Sequence, residues 1–274
     1  MIQPNPVVNI AFLNRRNTIV FGLSIFVFKF SHLATIVLIP GFLGNVQRYR
    51  SLQTGHALAW VAVPMFAVVW LVAFLIIHVS PRIILALGLT IAAVACWSAA
   101  HLDTSWAGSS FETIELILST GFACSYVGLV SNLVLEGLES GALASAANAA
   151  TFSGFLHLTR IFGGQIGVVA MMRLMSVREQ YHSNLLGLHV QSGGWLTDER
   201  LRALAGGILP GSAGQEEAQN RAIGILSQQV RAQAYTLATA DGFIVVGWIV
   251  VVYLLLMTFL LPGRFSYKDL RKMQ

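Results

Sequence analysis

Two pairs of basic side chains lie deep inside long apolar stretches of this sequence. Lys29 and His32 are three positions apart, and His157 and Arg160 repeat that spacing. Residues three apart share one face of a helix, so the members of each pair point in a similar direction. A charge at the centre of a bilayer costs at least about 2.5 kcal/mol, so such a residue needs a partner or a function. The pairs predict a polar cavity that handles substrate or protons, and neutralisation by a neighbouring helix is the alternative.

No acidic residue accompanies these basic groups in the middle of the same two stretches. If the two helices face each other, the cavity between them is strongly positive. An acidic substrate, or an acidic group on another part of the protein, would then balance the charge.

Three further polar residues lie within apolar stretches. Glu115 and Asp241 each lie near one end of a stretch, where a carboxyl group in an apolar vestibule can carry a proton. Contact with water at the membrane surface is the alternative for both. Asn148 either lines a substrate route or forms a hydrogen bond between helices. We therefore include all three as candidate residues of a substrate or ion pathway.

The composition excludes most soluble classes of protein. Of the 274 residues, 55% are hydrophobic and only 11% are charged, whereas soluble domains carry about 25% charged residues. The net charge of +5 comes from basic residues that flank apolar segments, which is typical of membrane orientation rather than nucleic-acid binding. The sequence contains no phosphate-binding loop, zinc-type Cys/His spacing or hydrolase motif, so we predict no enzyme activity, no metal and no cofactor.

Six apolar segments are long enough to cross a bilayer, which takes about 20 helical residues. They cover residues 18–43, 57–79, 83–101, 111–135, 144–174 and 236–261. Backbone groups cannot be left unpaired in lipid, so segments of this length must be helices. The predicted fold class is an all-α membrane protein, a bundle of six transmembrane helices in which short connections make neighbours antiparallel.

The connections predict the remaining organisation. Residues 1–17 form a linker, 175–235 a long polar loop, and 262–274 a tail. Positively charged residues favour the cytoplasmic side of short loops. The side that holds both termini receives most of them, including Arg16 and Arg82, and the short loops on the other side carry only Arg48 and Arg50. The arginines of the long loop count little, because long loops cross the membrane regardless of charge. We therefore expect both termini in the cytoplasm, the long loop outside, and the chain in the cell membrane.

Small residues are concentrated in the fifth apolar segment. Gly154, Gly163, Gly164 and Gly167 recur at spacings that let two helices approach closely. We predict that they form a helix-packing surface, which also suits helices that slide or rock.

The stretch from Asn148 to His182 resembles a segment of the fourteen-span drug:proton antiporters of the major facilitator superfamily. That family has an Asn, an Arg, a Gly-Gly-x-x-Gly element, and then a basic residue and a His after the span. The matching positions here are Asn148, Arg160, Gly163, Gly164, Gly167, Arg178 and His182. The stretch around Pro81 and Arg82 resembles the cytoplasmic loop between the second and third helices of the C-terminal half.

The resemblance covers nearly the whole chain but only the C-terminal six helices of that family. It implies half of a proton-coupled efflux transporter that works by alternating access, with the substrate held between two six-helix repeats. It therefore also implies a partner, an N-terminal six-helix half, besides the lipid bilayer and a small-molecule substrate. The alternatives are a non-transporting helical membrane protein or inactive transporter fragment, and an intramembrane enzyme.

Overall fold

The computed structural model describes residues 16–139, 141–142, 145–190, 193–211 and 214–257. Most of the expected linker and the whole of the expected tail lie outside these residues, and so do Arg264 and the later basic residues used to predict orientation. Within the described part of the chain, every regular element is helical.

Among the described residues, six helical segments are long and apolar enough to cross a membrane. The helices are α1 (Arg16–Asn45), α2 (Ser51–Leu58), α3 (Ala62–Leu75), α4 (Pro81–Ala99), α5 (Gly108–Glu139), α6 (Ala146–Gly187), α7 (Trp195–Ile208) and α8 (Gln215–Met257). A 3-10 turn joins α2 to α3, so Ser51–Leu75 forms one span, and a second follows α7. The predicted class of an all-α membrane bundle is confirmed.

Helices occupy most of the segment predicted as a long loop. Helix α6 continues through Gly187, and α8 begins at Gln215, far ahead of the apolar part that starts near Thr236. Hydropathy marks where an apolar stretch ends, but a helix continues while its residues favour helix and none is proline. The segment between the fifth and sixth spans therefore consists of two helical extensions joined through α7.

Tight glycine contacts fix the two closest helix pairs. A Cβ atom at Gly88 would lie 2.5 Å from the backbone nitrogen of Ser125, and one at Gly121 would lie 2.7 Å from that of Ala92, so α4 and α5 touch backbone to backbone. Helix α6 lies equally close to α1: a Cβ at Gly163 would lie 2.5 Å from the carbonyl oxygen of Phe26. Small residues permit this approach where larger side chains would hold the helices apart.

Two hydrogen bonds define the two ends of the bundle. At one end, which we call the Thr18 end, the Thr18 hydroxyl donates to Glu136 Oε1 at 3.3 Å. At the other, the Tyr49 end, the Gly108 backbone N–H donates to the Tyr49 hydroxyl at 3.2 Å. Helices α1 and α5 are therefore antiparallel, so the start of α1 and the end of α5 lie at the same depth in the bundle.

Candidate functional site

A cavity of about 370 Å³ opens on the face formed by α1, α5 and α6. Three basic side chains line it, Lys29 from α1 and His157 and Arg160 from α6. Most of the remaining wall is apolar or aromatic and includes Phe28, Tyr126, Leu129, Phe152 and Leu156. We call this cavity the cationic pocket. The structure thus brings together three of the four basic residues singled out in the sequence.

The close crossing of α1 and α6 positions these charges. Gly163 and Gly167 pack on the backbone of Phe26 and Phe30, so the two helices run side by side in the same direction. Arg160 lies almost one turn before Gly163, within the groove beside this crossing. Gly164, which was predicted to lie on the same packing surface as these two glycines, is adjacent to the Leu33 side chain.

Gly154 departs from that expectation. Among the described residues, no heavy atom lies within 4 Å of the position that its Cβ would occupy. The physical reason is that the closest approach of α6 to α1 lies further along α6, so Gly154 faces open space. The packing assignment for Gly154 is corrected accordingly.

Aromatic rings hold the lysine in the cationic pocket. Lys29 Nζ lies 5.7 Å from the centre of the Phe28 ring and 5.8 Å from that of the Tyr126 ring. Such cation–π contacts stabilise an ammonium group by about 0.5–2 kcal/mol, more as water is excluded. On the opposite wall, Arg160 Nη2 lies 3.5 Å from His157 Nδ1. The lysine is therefore oriented by ring faces rather than by a carboxylate.

The pocket carries an uncompensated positive potential. Within the described part of the chain, its lining includes no Asp or Glu. His157 and Arg160 are exposed at the face of the bundle, and Lys29 is half-buried. An arginine and a lysine beside apolar walls attract an acidic group strongly, because few competing dipoles surround them.

His32 does not enter the cationic pocket. It lines a second cavity, of about 240 Å³, between α1, α5 and the span Ser51–Leu75. Glu115 lines the same cavity, together with apolar residues such as Leu58, Met65 and Leu118. We call it the Glu115 cavity. The expectation that His32 shares a cavity with Lys29 is thus corrected: Phe28 and Phe122 pack around the imidazole and turn it toward α5.

Glu115 is the most unusual polar residue of the bundle. The sequence left open whether Glu115 contacts interfacial water or lies in an apolar vestibule, and the residue is 1% exposed. Within the described residues, neither of its carboxyl oxygens has a hydrogen-bond partner, and His32 Nδ1 also has none. Buried polar atoms are almost always paired, so two unpaired groups in one cavity call for an explanation.

Asp241 is in close contact with two basic side chains. Arg178 Nε donates to Asp241 Oδ2 at 2.6 Å, and His182 Nε2 lies 2.7 Å from the same oxygen. These three residues, which we call the Asp241 cluster, join α6 to α8 toward the Tyr49 end. The sequence named Arg178 and His182 only through a family resemblance, and their i, i+4 spacing on one helix face was the signal that could have grouped them.

Asn148 lies in the first turn of α6, away from the lining of the cationic pocket. Its backbone N–H donates to the Ser145 hydroxyl at 3.2 Å, and its side-chain amide donates to the Gly141 carbonyl at 3.4 Å. Ser145 is thus the N-cap of α6, a role in which serine is favoured. Asn148 contributes here to the start of the helix.

Sequence reasoning missed the aromatic residues that separate the two cavities. Phe28 lies on the cationic pocket and Phe122 on the Glu115 cavity, and their ring centres are 5.9 Å apart. Phenylalanine in an apolar stretch carries no signal of its own, so only the packing distinguishes these two from the others. Among the described residues, no group of three His, Cys, Asp or Glu side chains could hold a metal ion.

Comparison with known proteins finds a relative among membrane transporters. No family model matches the chain. The chain is 23% identical over 243 residues to the Colistin resistance protein EmrB of Acinetobacter baumannii. EmrB is one of the drug:proton antiporters of the major facilitator superfamily, so the resemblance found in the sequence is confirmed. The match covers 87% of this chain and 45% of the relative, so the chain spans about half the length of that protein. The six membrane-spanning helices indicate a multi-pass membrane protein, and the match shows its similarity to an efflux transporter.

Proposed function

We propose that the chain forms one half of a secondary active transporter that exports small molecules in exchange for protons by alternating access. The observation that carries the proposal is the cationic pocket, in which Lys29, His157 and Arg160 meet apolar and aromatic walls. Ligand sites are typically concave and mostly apolar, with a few polar groups that fix orientation. A charged pocket inside a membrane bundle is costly unless it serves such a purpose.

A second six-helix half would complete the pocket. His157 and Arg160 are exposed on the face that α5 and α6 present, and charged groups on that face are unfavourable against lipid hydrocarbon. In transporters built from repeats, the substrate lies near the midplane between two repeats. A partner half packed on this face would cover the two side chains and supply the opposite wall of the substrate site.

The close helix contacts are compatible with movement of the two halves as rigid bodies. Gly163 and Gly167 tie α6 to α1, and Gly88 and Gly121 tie α4 to α5. A half that is internally rigid can rock against its partner while the substrate site stays assembled on each wall. In the proposed orientation both termini lie in the cytoplasm of a cell-membrane protein, which places the Thr18 end on the cytoplasmic side.

The test uses the complete assembly reconstituted in lipid vesicles with an imposed pH gradient. Lys29→Ala and Arg160→Ala should each lower substrate transport, because each removes a cation that orients the substrate. Arg202→Ala is the matched control, since Arg202 lies on α7 outside the cationic pocket. Unchanged transport in both pocket variants, with the protein correctly inserted, would show that substrate does not use this pocket.

A further inference from the structure

The Glu115 cavity combines features that packing alone does not account for. Its walls are largely apolar, yet it contains a carboxyl group that is 1% exposed and has no hydrogen-bond partner within the described residues. A carboxylate in such a place pays a large desolvation penalty that nothing nearby offsets. A neutral carboxylic acid avoids that penalty, so the surroundings select the protonated form.

The cavity lies at a different depth from the cationic pocket. Glu115 is in the first third of α5, and the cavity is also lined by Ile39 of α1 and Leu58 of α2, which places it toward the Tyr49 end. The cationic pocket extends along α5 as far as Gly137, toward the Thr18 end. The two sites thus approach the middle of the bundle from opposite ends.

Aromatic rings form the wall between the two sites. The His32 ring lies parallel to Phe28, with centres 6.0 Å apart and an angle of 8°, and edge-on to Phe122 at 5.0 Å. Phe28 also contacts Lys29 of the cationic pocket through its ring face. A movement of Phe28 or of α1 therefore changes the surroundings of both sites at once.

We propose that Glu115 is a proton-carrying group in a site separate from the substrate pocket, with His32 as the second polar group of that site and Phe28 as the contact between the two. The inference rests on the proposed transporter for its use of the proton, but the site itself can be tested without transport. Binding is a single step, in which one carboxylate oxygen of Glu115 takes up a proton and releases it to water when the cavity opens.

A proton suits this cavity better than a metal cation does. The hydroxyl groups that border it are already engaged: Ser119 donates to the Glu115 carbonyl at 2.6 Å, and Thr35 donates to the His32 carbonyl at 2.8 Å. A hard cation requires several oxygen ligands arranged around it. A proton requires one oxygen, and Glu115 supplies that oxygen alone.

Few other titratable groups face Glu115. On α5 itself, Glu112 lies one turn earlier and interacts electrostatically with it. Helix α1 contributes His32 and, beyond Phe28, Lys29, whereas His56 in the last turn of α2 is exposed and does not line the cavity. Helix α3 carries no ionisable residue, and Arg82 of α4 lies at the far end of that helix from Glu115. The pH response of the site therefore belongs mainly to Glu115 and His32.

The experiment labels the full chain in lipid vesicles with dicyclohexylcarbodiimide, an apolar reagent that reacts with protonated carboxyl groups, and locates the adduct by mass spectrometry. Glu115 should be labelled selectively at acidic pH, and the labelled fraction should fall as the pH rises. Sodium ions at fixed pH should leave the labelling unchanged. Absence of an adduct at Glu115 at every pH would overturn the proposal, and so would protection by sodium, which would indicate a metal-cation site.

Variants show which carboxyl group gives the labelling signal. Glu115→Gln should abolish the adduct, and the matched variant Glu112→Gln should retain it. His32→Ala removes a polar group from the cavity, so labelling of Glu115 should persist to higher pH. An unchanged profile in His32→Ala would overturn the assignment of His32 to the site. The wild-type pH profile alone decides the role of Glu115 if a variant fails to fold.

The outcomes separate this proposal from the proposed function. Selective labelling of Glu115 in a complete assembly that transports nothing supports the proton site and counts against the transporter. Normal proton-driven transport by Glu115→Gln overturns the proton site and leaves the transporter standing. In a complete assembly where both hold, Glu115→Gln should lose the pH-gradient dependence of transport while it still binds substrate.

Discussion

The cationic pocket and the Asp241 cluster use the same types of side chain in opposite ways. In the Asp241 cluster, Arg178 and His182 meet one carboxylate, and the three groups join two helices. In the cationic pocket, Arg160 and Lys29 meet aromatic and apolar walls without a carboxylate among the described lining residues. A cluster with both signs of charge contributes to folding, whereas a pocket with one sign costs folding free energy and offers binding. The cationic pocket is therefore the region where unpaired charges lower the stability of the fold, and a bound acidic ligand can offset that loss.

The largest expected effect is on transport by a double variant of the pocket. Lys29→Gln combined with Arg160→Gln should lower substrate transport about tenfold or more, since a charged hydrogen bond contributes about 1.5–3 kcal/mol. The apparent melting temperature in detergent should stay the same or rise, because the change relieves repulsion between two cations. A matching loss of stability would contradict the comparison, because it would place these residues among the structural ones.

The next effect concerns the Asp241 cluster. Asp241→Asn leaves Arg178 and His182 without a counter-charge and should destabilise the bundle by about 1–3 kcal/mol, at the low end because the pair is partly exposed. Thermal unfolding in detergent measures the change, with Glu217→Gln on the solvent-exposed pair to Arg221 as a control of the same charge change. A variant that unfolds normally but no longer transports would make this cluster part of the pathway.

Variants of two α6 glycines test whether close packing of α6 on α1 positions the cationic pocket. A Cβ at Gly167 would lie 2.6 Å from the Phe30 carbonyl oxygen, so Gly167→Ala should force α6 from α1 and cost about 1–3 kcal/mol. Gly154→Ala is the matched control and should be neutral or stabilising by up to about 1 kcal/mol, because its Cβ enters open space. Equal destabilisation of both variants in the same unfolding assay would contradict the packing described for α6.

The smallest expected effect concerns the pKa of Asp103, an exposed carboxyl group. Asp103 lies in the loop between α4 and α5, where the backbone N–H and the hydroxyl of Ser105 donate to its Oδ1. These hydrogen bonds lower the pKa of Asp103, so the favourable contribution is present at neutral pH and is lost as the pH falls through that lowered pKa. Ser105→Ala should move the pKa of Asp103 toward its ordinary value, measured by NMR titration, with no detectable change in stability.

The six spans and the fold class follow from the sequence alone, because lipid leaves a long apolar segment no alternative to a helix. The same reasoning located Lys29, His157, Arg160, Glu115 and Asp241 as charges that need an explanation. It could not find the ends of α6 and α8, since hydropathy reports where lipid ends and not where hydrogen bonding along a helix stops.

Only the tertiary structure decided which of these charges meet. Lys29 and His32 share a helix face, yet the packing of Phe28 and Phe122 sends them to different cavities. Asp241 acquired partners from a helix more than fifty residues away in sequence, and Glu115 acquired none within the described chain. The sequence shows which charges lie in lipid and therefore carry a free-energy cost. The ion pairs that offset this cost depend on how the helices cross. The crossings depend on contacts between residues that are distant in sequence.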